Sequence, residues 1–201
     1  KDLALKRESA WDLLGAEGKK EIFDFAEGYK AFLDEGKTER ECVEAAVKLL
    51  KAHGYKNLEK KQAVKAGDKV YKKIHGKGLI AAVVGKEDLS CGLNILGAHI
   101  DSPRVDLKPM PLYEDEELAL LKTHYYGGIK KYQWSTLPLA LHGIIFNQKG
   151  EKVEVVIGED DQDPIFTINE LLVHLSQEQM TRKGAEVVKA EEMNVLVGGI
   201  P

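Results

Sequence analysis

The stretch ILGAHIDSPRVDLKP, residues 95–109, decides how this chain is read. An apolar run, Leu93, Ile95 and Leu96, stops at two small residues, Gly97 and Ala98. His99 and Asp101 follow, two positions apart. The pattern predicts a buried strand that ends in a site. On extended chain, side chains at i and i+2 point to the same side. The Asp101 carboxylate then accepts from one imidazole nitrogen of His99 and leaves the other for a metal, an arrangement common around zinc. H-x-D is also a short and frequent spacing. On spacing alone, a hydrogen-bonded structural histidine at a strand end stays open as the second reading.

Upstream, residues 16–35 carry Ile22, Phe23, Phe25, Ala26, Tyr29, Phe32 and Leu33 at three-to-four spacing, which predicts an amphipathic helix ended by Gly36. Thr38 stands three residues before Glu41, a capping-box pattern that opens a second helix with Val43, Ala46, Val47 and Leu50 on one stripe. His53-Gly54 marks its stop, with His53 suited to the exposed carbonyls there. VYKKIHGKGLIAAVVG, residues 70–85, reads as two short strands around His75-Gly76, and GLNILGAH, residues 92–99, as a further strand. Their apolar runs suggest burial on both faces and a mixed sheet in an α/β layer.

Downstream, PMPLYEDEELA, residues 109–119, is acidic and proline-bearing, as a crossover or linker would be. YYGGIKKYQW follows, and then LPLALHGIIFNQKGEKVEVVIG, a β-hairpin turning around Gln148-Lys149-Gly150. Residues 167–178 predict a helix with Ile168, Leu171, Leu172 and Leu175 on one side, and NVLVGGIP a last short strand. There is no internal repeat.

At 201 residues and 43% apolar content the chain makes one large domain or two small ones with a real core. Its charge of −4 and the lack of a concentrated basic stripe exclude a nucleic-acid face from the expectations. No apolar run approaches the ~20 residues of a membrane span, so no membrane partner is expected. The N-terminus lacks the apolar middle of a secretory signal. Cys42 and Cys91 are far apart and outside any CxxC pair, as reduced structural thiols are. These features point to a cytoplasmic protein.

The remaining histidines read as structural. His75 lies in an exposed turn, His124 at a junction beside two tyrosines, and His142 on a strand at the core edge or in solvent. Tyr125-Tyr126-Gly127-Gly128 permits positive φ or close backbone approach, with aromatics up to Trp134 that suit an interface. The acidic run 159–163 lacks the calcium-loop pattern and reads as a solvated turn. Arg104 and Lys108 read as surface pairing.

GAHIDSPRVDLKP resembles the first metal-binding motif of the aspartyl aminopeptidase and aminopeptidase I family of dinuclear zinc exopeptidases. EIFDFAEGYKAFLDEGKTEREC through GYKNL resembles that family's N-terminal helices. PLYEDEELALLKTHYYGGIKKYQW and VVIGEDDQDPIFTINELLVHL resemble its inserted dimerisation domain. The likeness runs from about residue 8 to the end. It implies an α/β zinc-exopeptidase catalytic domain, a mixed sheet flanked by helices, interrupted by a β-rich dimerisation domain. Both are incomplete here, with residues 1–108 in the first and 109–201 in the second. It implies that His99 is the first zinc-ligand histidine and that Asp101 orients it without binding metal. It implies that His174, in ELLVHLS, reaches a neighbouring subunit's active site to hold substrate or stabilise the oxyanion. The bland reading of His174 is a satisfied histidine at a core edge.

The resemblance further implies a zinc aminopeptidase acting on peptides, two zinc ions, and a dimer as building block of a dodecamer. For two-metal activation of water by a carboxylate base, the resemblance implies further residues later in the chain: a bridging aspartate, a Glu-Glu pair, another aspartate and a final histidine. Glu116-Glu117 and Glu191-Glu192 lack the expected context of an apolar strand followed by a loop. The chain is thus expected to match the first half of a family member and to be inactive alone. A non-catalytic assembly module that keeps the fold is the alternative. A related zinc amidase or deacetylase is a third, against which the YYGG-containing insertion argues.

Overall fold

In the computed structural model, which describes residues 3–5, 7–61 and 63–199, the capping box forms as the spacing predicts. The Thr38 hydroxyl accepts from the Glu41 N–H at 3.4 Å, and the Glu41 carboxylate accepts from the Thr38 N–H at 2.8 Å. Two orphan donors of the first turn are satisfied together. The chain divides into two compact units, residues 1–100 and 101–201.

The first unit opens with a short helix α1 (Ala10–Leu13), followed by α2 (Ala16–Glu35) and α3 (Glu39–Ala52). Gly36 closes α2, and a Cβ there would lie 2.7 Å from Cys42 Sγ, so only glycine lets the two helices meet this closely. The Cys42 thiol donates to the Gly36 carbonyl at 3.4 Å. Burial raises its pKa, with the charges of Glu41 and Glu39 adding to the shift. Strands β1 (Lys56–Asn57), β2 (Lys69–Ile74) and β3 (Gly78–Val83) form a mixed sheet, β1 parallel and β3 antiparallel to β2. His75 and Gly76 take positive φ, 49° and 67°, in the turn between β2 and β3. Val43 and Val47 of α3 pack on Tyr71 of β2, with Leu50, Tyr55, Leu79 and Ile100 around them.

Two expectations fail in this unit. Residues 92–99 form no strand, and Leu93, Ile95 and Leu96 are exposed, Leu96 fully. Extended chain becomes a strand only when a neighbour takes up its hydrogen bonds, and β3 pairs with β2 alone among the described strands. Burial on both faces also fails, since Ile80 and Val83 of β3 face solvent. The amphipathic pattern of α2 is real, but none of its described residues is buried; Phe25 is 78% exposed.

The second unit is built on β4 (Arg104–Asp115), β5 (Leu118–Tyr126), β8 (Thr167–Ile168) and β9 (Val195–Gly199), in the order β4-β5-β9-β8, with β6 (Leu141–Phe146) and β7 (Lys152–Ile157) as the expected separate hairpin. The acidic stretch read as a linker is instead the end of β4, and Glu116 and Glu117 turn the chain at positive φ, 50° and 63°. Pro109 and Pro111 fall where the register shifts between Leu107 and Leu112, on an edge strand where a missing N–H is tolerated. The expected 108/109 boundary lies within β4. Phe166, Ile168, Val188, Met193 and Val195 form the core, flanked by Trp134, Leu139, Leu141 and Ile157.

The helix expected over 167–178 does not form. Ile168 pairs with Val195 and is 1% exposed, which commits the segment's start to the sheet. A turn at 173–175 and a one-turn helix α4 (Gln177–Met180) follow. Leu171, Leu172, Val173 and Leu175 are all exposed. No helix among the described residues is long and apolar enough to cross a membrane.

Candidate functional site

The segment that carries His99 and Asp101 has no regular structure until β4 begins at Arg104. His99 is exposed at the end of the first unit, and Asp101 is half-buried at the start of the second. What holds Asp101 is visible within its own unit. The Tyr126 hydroxyl donates to Asp101 Oδ2 at 2.7 Å. Tyr126 is the last residue of β5 and pairs in register with Arg104, the first of β4. The Arg104 guanidinium carbon lies 4.0 Å from the centroid of the Tyr126 ring, within the range of a cation–π contact. The guanidinium is steadied in turn, because Arg104 Nε donates to Asp106 Oδ1 at 2.7 Å.

The backbone closes the same corner. Gly127 follows Tyr126 with φ 80°, and a Cβ there would lie 3.6 Å from Pro103 Cα. Glycine at this position turns the chain out of β5 directly over the segment that bears Asp101. The expectation of positive φ in the YYGG stretch holds at Gly127. His124 and Tyr125 stack with ring centroids 5.3 Å apart.

His174 sits exposed in the turn at 173–175, between exposed Val173 and Leu175. A core-edge histidine on a helix, the bland expectation, is therefore not what the structure has. Both Glu-Glu pairs are accounted for otherwise. Glu116 and Glu117 form the β4–β5 turn. Glu191 accepts from Lys108 at 2.5 Å and Glu192 from Lys189 at 2.8 Å, and each hydrogen bond draws the carboxyl below its ordinary pKa. His53 caps α3, its Nδ1 2.9 Å from the Leu49 carbonyl. His142 is a core-edge residue on β6, 2.9 Å from Glu159. In the run 159–163, Asp163 accepts from the Gly158 and Asp160 N–H groups, closing a turn.

The imidazole of His99 is a donor type that zinc takes. His99 offers an imidazole, and Asp101 is a carboxylate with a fixed partner. Among the described residues, no three His, Cys, Asp or Glu side chains converge so as to hold a metal, and a zinc centre takes three or four protein ligands. Sequence reasoning missed Tyr126 as the partner of Asp101 and favoured surface pairing for Arg104. The signal lay in YYGG, but a contact 25 positions apart becomes visible only once β4 and β5 pair.

Comparison with known proteins places these residues in a larger frame. The family described as aminopeptidase I zinc metalloprotease (M18) matches residues 32–198. A Clostridium acetobutylicum protein described as "Probable M18 family aminopeptidase 1" is 51% identical over 204 aligned positions, covering 100% of this chain and 44% of that protein. The crystal structure of an M18 aminopeptidase from Thermotoga maritima superposes with a TM-score of 0.90 at 42% identity, over 98% of this chain and 43% of that one. The S. cerevisiae mApe1 dodecamer shares the fold, with a TM-score of 0.65 at 23% identity over 87% of this chain and 38% of that one. The chain thus spans less than half the length of the relatives it matches.

Proposed function

This chain belongs to the aminopeptidase I zinc metalloprotease (M18) family, and from that membership we propose that the whole protein is a zinc-dependent aminopeptidase that removes N-terminal residues from peptides. The observation that carries the reading is the 51% identity to a protein described as an M18 family aminopeptidase over the whole of this chain. His99 supplies one ligand, and Asp101 orients its imidazole. The complete set, with two zinc ions, draws its other ligands and its general base from the part of the relatives' length that this chain does not cover. Zinc, when bound, supplies Lewis acidity for peptide hydrolysis.

Residues 1–108 belong to the catalytic domain in this reading, and residues 109–201 to the inserted dimerisation domain. His174, exposed on its turn, acts on the substrate bound by a neighbouring subunit. The working form is a homo-oligomer, a dimer that builds a dodecamer. The balanced charge and two free cysteines support a cytoplasmic location.

The test compares the full-length protein with the 201-residue segment. The full-length protein is expected to bind zinc and hydrolyse aminoacyl substrates, and His99→Ala to lose both properties. The segment alone is expected to show neither. Steady hydrolysis by the segment, or full zinc retention by His99→Ala, would contradict the proposal.

A further inference from the structure

We propose that the open edge of β3 takes an extended segment from the part of the full-length protein that this chain does not span. The inference rests on the reading above only in taking the whole protein to be longer than these 201 residues. It starts from a mismatch between what β3 is made of and where it stands. β3 is GLIAAV, six residues without a charge, a polar side chain or a proline. Among the described strands its partner is β2 alone, so its far edge is open. Native edge strands carry lysine, proline or a bulge that keeps other chains off. β3 has none of these, and its register with β2 runs unbroken over six pairs. The lysines stand instead on β2, KVYKKI, which has a neighbour on either side.

The side chains of β3 carry the same mismatch. Leu79 packs against the cluster of Val43, Val47 and Tyr71, which sets that face of the strand against α3. Side chains alternate along a strand, so Val83 shares the α3 face and Ile80 lies on the opposite one. Val83 is 57% exposed and Ile80 62%. Apolar residues on both faces mark a strand from the interior of a sheet. An added strand takes up the outward N–H and C=O groups of β3 and brings cover to its side chains. The occupant follows from length. This chain makes up 44% of the relative to which it is 51% identical, and 43% of the solved chain it superposes on with a TM-score of 0.90. More than half of such a protein is left to supply the strand. Residues 92–99, unpaired in the same unit, leave the edge open. To match its site, the incoming segment is extended and apolar on both faces, as β3 is.

The experiment is amide hydrogen exchange on the full-length wild-type protein. All β3 amides, those facing away from β2 included, are expected to be as protected as the amides of β2. Fast exchange of the outward amides overturns the proposal. A photoreactive side chain then identifies the occupant: Ile80→benzoylphenylalanine in the full-length protein, irradiated in samples mixed from isotope-labelled and unlabelled chains. The expected crosslink joins position 80 to a residue outside these 201, within one polypeptide. A crosslink to residues 92–99, or between labelled and unlabelled chains, overturns the proposal. Should the large side chain disturb folding, Ala82→benzoylphenylalanine samples the same face with the same expectations. Absence of a crosslink from both positions overturns it too. Zinc content and aminoacyl hydrolysis of the wild-type protein report separately on the functional reading. A protected β3 in a protein with neither property keeps this inference and ends that reading. An active zinc enzyme with an unprotected β3 does the reverse.

Discussion

The Thr123 hydroxyl donates to the Met193 carbonyl, tying the middle of β5 to the turn that leads into β9. Both residues are buried, Thr123 2% exposed and Met193 1%. Thr123→Val keeps the shape and removes the donor, leaving a buried carbonyl without it. The expected loss is about 1–3 kcal/mol, read from urea unfolding followed by a probe in residues 101–201. Unchanged stability would mean that this bond contributes nothing net.

Ile168 is 1% exposed at the centre of the second unit's core. Ile168→Ala is expected to cost about 2–5 kcal/mol through lost burial and the cavity left behind. Val43→Ala probes the core of the first unit in the same way. Each change is expected to lower protection from amide exchange mainly in its own unit.

Thr38→Ala removes one half of the capping box and leaves an N–H of α3 without its side-chain acceptor. The expected cost is about 1 kcal/mol, measurable as lowered helicity and an earlier urea midpoint. Thr38→Ser retains the acceptor and is expected to recover most of the loss.

Asp68 accepts hydrogen bonds from Lys61 and from the Lys65 N–H. The Lys61 bond, first, and the backbone bond, second, hold its carboxyl below the ordinary 3.8. A carboxyl with a depressed folded-state pKa contributes stability that is present above its unfolded pKa. That contribution is lost as pH falls through the folded value. Wild-type protein is therefore expected to lose stability below pH 3.8 more steeply than Asp68→Asn. Parallel acid limbs in the two proteins would refute this.

His174 is exposed on a turn, so His174→Ala in the full-length protein is expected to change stability by no more than about 0.5 kcal/mol. If it stabilises an oxyanion across the subunit boundary, kcat falls by about 10²–10³. Mixed oligomers of His174→Ala and His99→Ala subunits are expected to recover activity above either variant alone. Failure of that complementation would place His174 outside a neighbour's site.

The parts of this fold legible in the sequence are those whose signals are local. Thr38 and Glu41 specify their own helix start, and Gln148-Lys149-Gly150 specifies a hairpin, because the interacting groups lie within a few residues. The failures share a dependence on distant partners. Leu93, Ile95 and Leu96 look like a core strand, yet a strand requires a neighbour, and none of the described strands pairs there. Leu171, Leu172 and Leu175 have helical spacing, but Ile168 is drawn into the sheet by Val195. Proline and acidic residues disguised β4, whose register shift accommodates the prolines while Glu114 and Asp115 pair regularly with β5. At the site, His99 and Asp101 were recognisable as a motif. Tyr126 meets Asp101, and Arg104 meets Tyr126, only once β4 and β5 pair.

The outer side of β3 has a practical consequence. Its backbone amides and carbonyls face away from β2, with Ile80 and Val83 displayed beside them. Such a margin is a template for any extended chain that reaches it. In a preparation of this segment, that margin is expected to favour self-association. A lysine at position 80 would blunt that margin and keep the material dispersed.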